Sequence, residues 1–254
     1  WWPFKNAILT IHDIEALNRK NGMSRWLFQK LWFDLPIRNA KVVTTISNFS
    51  KAEILSIRAY KTPIKVIYNP LPFTEQLFSP KELNTLKPCI LHIGLKKNKN
   101  LNRLLEAMQG IPCKLLLIGN PSEKIKQQSL ALQVEVDFRY DLSQEEIIEC
   151  YQEADLLAFV STYEGFGLPI LEAQAMGCPV ITSNVASMPE VAGEGALLVD
   201  PFSVESIRGG IQKVIKDEEL RSNLIKKGIE NTKRFESEAI AEQYNSLYKQ
   251  IENE

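Results

Sequence analysis

From residue 88 onward the chain repeats one pattern: a short, almost wholly apolar run, then a segment with helical spacing of its apolar residues. The runs are CILHIG (89–94), KLLLIG (114–119), VEVDF (134–138), DLLAFVS (155–161), PVITS (179–183) and ALLVD (196–200). Such runs are too short for buried helices. Most also lack the strict alternation of a strand with one wet face, so strands buried on both faces are expected. The intervening segments supply the cover. NLNRLLEAM (100–108), the stretch 122–132 and SQEEIIECYQEA (143–154) have helical spacing, and in the last Ser143 and Glu146 are placed as a capping box. Alternation of this kind predicts an α/β fold with a parallel sheet, here a Rossmann-like domain over 88–236. Helices are expected over 203–217, 217–232 and 237–252, with 237–254 packing back towards the N-terminal part of the chain.

Residues 1–75 are a smaller unit. AILTIHD and KVVTTIS read as strands, MSRWLFQKLWFD as a helix between them, and KVIYNP (65–70) as a closing strand. This suits the last part of an α/β domain rather than a complete one. The chain opens WWPFKNAILTIHD, with neither an initiator Met nor a signal-peptide pattern, and is expected to start partway through a fold. Pro72, Pro80 and Pro88 mark a linker, placed at 76–87. The helix with Trp26, Phe28, Trp32 and Phe33 is flanked by Arg19, Lys20, Arg25 and Lys30. An aromatic, basic segment of this kind can rest on an anionic membrane surface. The simpler expectation is that its aromatics pack inside and its charges are solvated.

Composition removes several function classes. A formal net charge of −1 provides no global field for nucleic acid. No apolar run reaches the roughly 20 residues of a membrane-spanning helix. Cys89, Cys113, Cys150 and Cys178 are dispersed with no C-x-x-C pairing, so reduced thiols in the cytoplasm are expected rather than disulfides or zinc. The two histidines, His12 and His92, are too few for a multi-histidine metal centre. No G-x-G-x-x-G follows a predicted strand, which weighs against a dinucleotide-dependent dehydrogenase.

Chemistry concentrates in EGFGLPILEAQAMGCPV (164–180). Glu164 follows the predicted strand 155–161, at the sheet edge where open α/β folds bind ligands. Gly165 and Gly167 let backbone approach a ligand, and Pro169 marks the first turn of a helix whose free amides can hold a phosphate. Glu172 then falls in the second turn, among Leu171, Ala173, Ala175 and Met176. Taken alone it would read as a solvated glutamate. Its apolar neighbours and the preceding glycine loop favour a carboxylate that receives hydrogen bonds from a ligand, for which the two hydroxyls of a ribose are suitable donors.

The wider stretch STYEGFGLPILEAQAMGCPVITSNVASMPEVAGEGALLVDP (161–201) resembles the signature region of the family-4 retaining glycosyltransferases, glycosyl transferases group 1, with the GT-B fold. Its mark is a pair of glutamates with seven residues between them, present as Glu164 and Glu172. TIHDIEAL (10–17), VVTTISNFSKAEI (42–54), VIYNPL (66–71), ILHIGLKKNKNLNRLLEAM (90–108) and KRFESEAIAEQY (233–244) resemble the same family in the same order. The mannosyltransferase-like members look most similar.

The resemblance implies a nucleotide-sugar donor, GDP-mannose or a UDP-sugar, held mainly by the C-terminal domain, with no cofactor and no required metal. It implies a glycan or lipid-linked acceptor, no nucleic-acid partner, and a cytoplasmic location with peripheral membrane contact. Glu172 is implied to bind the donor ribose. Glu164 and the backbone of Phe166, Gly167 and Leu168 would face the sugar and diphosphate. Lys99 would neutralise the diphosphate from the loop that begins at Gly94. Lys96 substitutes there for an arginine common in the family, whose place Leu95 takes. His12 is implied to face the donor sugar, whereas His92, inside a strand, reads as core. Tyr140 stands where the family often has glycine, near the expected base. Two other readings stay open: a fragment that binds nucleotide-sugar without transfer, and a different enzyme on the same scaffold, such as a sugar-nucleotide epimerase or a phosphorylase.

Overall fold

The computed structural model describes residues 6–72 and 83–253. The chain divides into two compact units, Trp1–Pro70 with Phe235–Glu254, and Leu71–Arg234. Of the linker placed at 76–87, residues 76–82 lie outside the described residues.

The first unit is built from β1 (Ile8–Ile11), α1 (Glu15–Asn18), α2 (Gly22–Gln29), a π-helical turn (Lys30–Asp34), α3 (Leu35–Asn39), β2 (Val42–Thr45), α4 (Asn48–Ile57) and β3 (Ile64–Val66). Its strands form a parallel sheet in the order β1-β2-β3. The helix expected at 23–34 runs on through the π turn into α3, with Pro36 in the first turn of α3. Helix α4 is an addition to the sequence reading. Ser47 starts it by accepting the Ser50 amide through its hydroxyl.

The expected burial of the aromatic helix holds for only part of it. Phe33 is buried and Phe28 packs against the same core as Leu17 and Ile37. Trp26 and Trp32 are 55% and 62% exposed, and Met23 and Leu27 are exposed beside them. Ser24, Arg25, Gln29 and Lys30 interrupt the apolar residues of the segment, no residue of α2 is fully buried, and only part of its apolar surface meets the core. Lys30 Nζ lies over one face of the exposed Trp26 ring, 4.9 Å from its centroid.

The second unit alternates as expected through β4 (Cys89–Ile93), α5 (Leu101–Met108), β5 (Lys114–Ile118), α6 (Glu123–Ala131), β6 (Glu135–Arg139), α7 (Gln144–Glu153) and β7 (Leu156–Phe159). It continues through α8 (Leu168–Ala175), β8 (Val180–Ser183), α9 (Met188–Ala192), β9 (Leu197–Val199), α10 (Val204–Lys216) and α11 (Glu218–Thr232). The six strands are parallel in the order β6-β5-β4-β7-β8-β9. The strand order reverses between β4 and β7, where Ile90 and Leu91 pair with Leu156 and Leu157. Leu104, Leu105 and Met108 of α5 share a core with strand residues Leu115 and Leu156 and with Ile207 and Ile211 of α10. The capping box of α7 is present: Ser143 N donates to Glu146 Oε2 at 2.7 Å, and Glu146 N to Ser143 Oγ at 3.3 Å.

The last helix, α12 (Ser237–Glu252), belongs to the first unit. Its Ile240, Leu247 and Ile251 bury against Val42 and Ile67.

Candidate functional site: the switch point of the second unit

The site is built where β4 and β7 end side by side, at the point where strand order reverses and two loops splay apart. The first loop leaves β4 at Gly94, whose φ of +92° suits glycine. A Cβ there would lie 3.2 Å from Cγ and Cε of Lys99, so the glycine lets the lysine stem lie along the loop. A 3-10 turn over Lys97–Lys99 leads to Asn100, which holds a left-handed conformation that asparagine tolerates better than most residues. Asn100 is buried, and its Nδ2 donates to Val160 O at 3.0 Å and Pro201 O at 2.7 Å. These bonds fix the loop to the end of β7.

The second loop carries Glu164. Lys99 Nζ is 2.8 Å from Glu164 Oε1, with both side chains mostly buried at 18% and 16% exposure. Lys99 Nζ also lies 4.6 Å from the centroid of Phe159, a position that stabilises a partly desolvated cation. Asn98 joins the loops: its Nδ2 donates to Glu164 Oε1 at 3.2 Å and to Tyr163 O at 3.0 Å, and its carbonyl accepts the Thr162 amide at 2.8 Å. From the far side the buried Ser187 hydroxyl lies 2.8 Å from Glu164 O and 2.7 Å from Phe166 O, sharing its one proton between them.

Helix α8 starts behind this pair. Gly167 is its N-cap at φ +117°, and a Cβ there would meet Ile170 Cδ1 at 3.1 Å. Pro169 has no N–H, and Ile170 N bonds Gly167 O at 3.0 Å. Leu168 opens the helix, so its amide has no carbonyl within the helix to meet, and the helix dipole adds partial positive charge there. Glu172 follows in the second turn. Its Oε2 accepts a hydrogen bond of 2.5 Å from Tyr151 Oη. Burial raises the Glu172 carboxyl above its ordinary value, and the Tyr151 bond opposes that rise by favouring the charged form.

Lys99, Glu164, Gly94, Phe166, Gly167, Leu168 and Glu172 all stand on these loops and on α8. Lys96 N-caps the 3-10 turn, and its side chain is exposed. His12 lies in the other unit, just past β1, with an exposed side chain and a carbonyl that accepts the Ser50 hydroxyl at 2.9 Å. His92 is wholly buried in β4 with Nδ1 3.0 Å from Ala158 O. Burial pulls its pKa down to about 4, so it is neutral. Tyr140 is half exposed after β6. Three residues at the site escaped the sequence reading: Asn98, hidden in a lysine-rich run, and Ser187 and Tyr151, which carry no local signal.

A parallel, doubly covered sheet in this order, joined to a second parallel α/β unit, defines an α/β protein of the GT-B type. A family model for glycosyl transferases group 1 matches residues 73–231, and the chain belongs to that family. The O-antigen chain mannosyltransferase B of Escherichia coli is 29% identical to it over 270 residues, covering 96% of this chain and 70% of the relative. The N-acetyl-alpha-D-glucosaminyl L-malate synthase of Bacillus anthracis is 28% identical over 231 residues, covering 84% of this chain and 60% of the relative. The chain thus spans between 60% and 70% of the length of these two curated relatives. Among solved structures, sucrose-phosphate synthase from Thermosynechococcus elongatus matches with a TM-score of 0.83 at 25% identity, covering 96% of this chain and 67% of that one. Anabaena HepE, solved with UDP and glucose, shares the fold with a TM-score of 0.83 at 20% identity, covering 96% of this chain and 72% of that one.

Proposed function

We propose that this chain carries the donor site of a retaining hexosyltransferase that uses a nucleoside-diphosphate sugar in glycan, polysaccharide or glycolipid synthesis. The observation that carries this reading is the Lys99–Glu164 pair at the switch point, beside the amide that opens α8. A diphosphate placed between Lys99 and the Leu168 amide meets positive charge from both sides. As the bond from the sugar anomeric carbon to the phosphate oxygen breaks, the electron pair moves onto the diphosphate, while the acceptor hydroxyl oxygen bonds the anomeric carbon and its proton passes to the departing diphosphate. Lys99 and the helix start stabilise that developing charge. Glu164, released from Lys99, accepts hydrogen bonds from sugar hydroxyls, and Glu172 accepts them from the ribose. His12 is assigned to the sugar side of the donor by resemblance.

Mannose is the sugar favoured by the names of two relatives, the E. coli protein and the Salmonella O-antigen chain mannosyltransferase RfbU. UDP is the nucleotide seen in HepE. The reaction is proposed to need no metal. Calorimetric titration with UDP, GDP, ADP and their sugar conjugates, on the chain and on Glu172→Ala, tests the donor site. Saturable binding that the variant loses supports it; no binding to folded protein overturns it.

The acceptor side is proposed to meet a membrane peripherally, on its cytoplasmic face. No helix among the described residues is long and apolar enough to cross a membrane. The exposed Met23, Trp26, Leu27 and Trp32 lie on one segment with Lys20, Arg25 and Lys30, so the segment offers apolar and basic side chains together. Co-sedimentation with phosphatidylglycerol vesicles is expected, weakening by about tenfold when Trp26→Ala and Trp32→Ala are combined, since each aromatic contributes to membrane affinity through its buried area. Binding unchanged in that variant would remove this part of the proposal.

A further inference from the structure

Glu172 is useful to a ligand only if its carboxylate is held still, is charged, and has an oxygen to spare. The side chain that meets these conditions is Tyr151, 21 residues earlier in sequence and on another helix. Tyr151 is 1% exposed, so its ring has no freedom to swing, and its hydroxyl sits 2.5 Å from Glu172 Oε2. Among the described residues it is the one hydrogen-bond partner of that carboxylate, and it occupies a single oxygen. Oε1 is left for an outside donor.

We propose that Tyr151 is a positioning residue that orients the Glu172 carboxylate towards the hydroxyls of a bound ribose, so that the site selects ribonucleotides over deoxyribonucleotides. The proposal rests on the assignment of Glu172 to the ribose given above. A bidentate acceptor with one oxygen tied back presents the other along a fixed direction. A ligand that lacks the hydroxyl covers that oxygen without pairing it, and a charged acceptor left unpaired beneath a bound ligand discriminates strongly. Burial raises the Tyr151 phenol well above its ordinary value, with the Glu172 charge adding to the effect, so it remains a donor. The thiols of Cys150 and Cys178 also act on the phenol, in the same direction.

The test compares UDP, GDP and ADP with their 2′-deoxy counterparts, titrated calorimetrically into the intact chain, Tyr151→Phe and Glu172→Gln. The intact chain is expected to prefer the ribonucleotide of its chosen base by about tenfold or more, the scale of one hydrogen bond to a charged group. Tyr151→Phe is expected to bring that ratio close to one. A loss of packing alone would weaken both nucleotides equally and leave the ratio unchanged. Replacement of Tyr151 by p-aminophenylalanine, which keeps a donor on the same ring, is expected to restore the preference. It carries the test if Tyr151→Phe does not fold, with a preserved ratio expected and a ratio near one overturning the proposal. If Glu172→Gln abolishes the preference while Tyr151→Phe keeps it, Tyr151 has no positioning role. If Glu172→Gln keeps both affinity and preference, or no nucleotide binds, the assignment of Glu172 fails and this inference with it.

Discussion

Lys99 makes two attachments within the protein, one to Glu164 and one to the Phe159 ring. Their strength depends on its charge, which no other cation named at the site duplicates, since Lys96 is exposed. Lys99→Met keeps the stem against Gly94 and removes the charge. Turnover is expected to fall by about 100-fold or more, as when one preorganised stabilising group is removed from a site. Nucleoside binding should change far less than nucleoside-diphosphate binding, and equal loss of both would contradict the assigned role. His92 makes a different residue-scale prediction. Its folded pKa of about 4 lies below the ordinary 6.5, so the unfolded chain binds more protons between those values. The stability it contributes is present above pH 6.5 and is lost as pH falls towards 4, by on the order of 3 kcal/mol. His92→Gln is expected to flatten the fall in urea midpoint across that window.

At the scale of elements, α8 is held by a buried polar network rather than by apolar contact alone. Gln174 Nε2 donates to Ala192 O at 2.9 Å, and Asn231 Nδ2 donates to Gln174 Oε1 and Val191 O at 2.8 Å each, tying α8 to α9 and α11. Helix α11 comes close to the turn that follows α9 because glycines face each other: a Cβ on Gly195 would lie 2.4 Å from Gly228 Cα and 2.6 Å from Gln174 Nε2. Gly195→Ala is therefore expected to push α11 from the turn after α9, to press on Gln174 of α8, and to cost about 2 kcal/mol or more, since neither side of a backbone contact can yield by rotamer change. A melting temperature equal to that of the parent chain would show that the contact relaxes freely. The same displacement would move Glu172 and weaken nucleotide binding without any change at the site itself.

At the scale of the molecule, the last helix serves the unit formed by the first residues. Ile240, Leu247 and Ile251 complete a core with Val42 and Ile67, and Lys65 Nζ bonds Gln250 Oε1 at 2.7 Å. Removing residues 235–254 is expected to expose that apolar surface and to collapse amide protection in β1, β2 and β3, while β4 to β8 retain theirs. Hydrogen exchange read strand by strand distinguishes this from uniform destabilisation, which would contradict the division into two units.

Much of this was legible along the chain. The six strands from 89 to 199, the Ser143–Glu146 capping box and the glycine turn into α8 depend on neighbours a few residues apart, whose apolar spacing, side-chain caps and allowed backbone angles are local properties. The outward face of α2 was not legible, because its apolar residues fall on more than one side of the helix and their spacing does not say which side meets the core. Nor were the partners of the two glutamates. Lys99 lies 65 residues from Glu164, Tyr151 lies 21 from Glu172 and Ser187 lies 23 from Glu164. The sequence by itself determined the succession of strands and their main covering helices in the second unit and put two carboxylates around a glycine loop at a strand end. Only the tertiary structure decided which side chains hold those carboxylates, because such contacts arise where crossover helices and parallel strands bring distant segments to the same sheet edge.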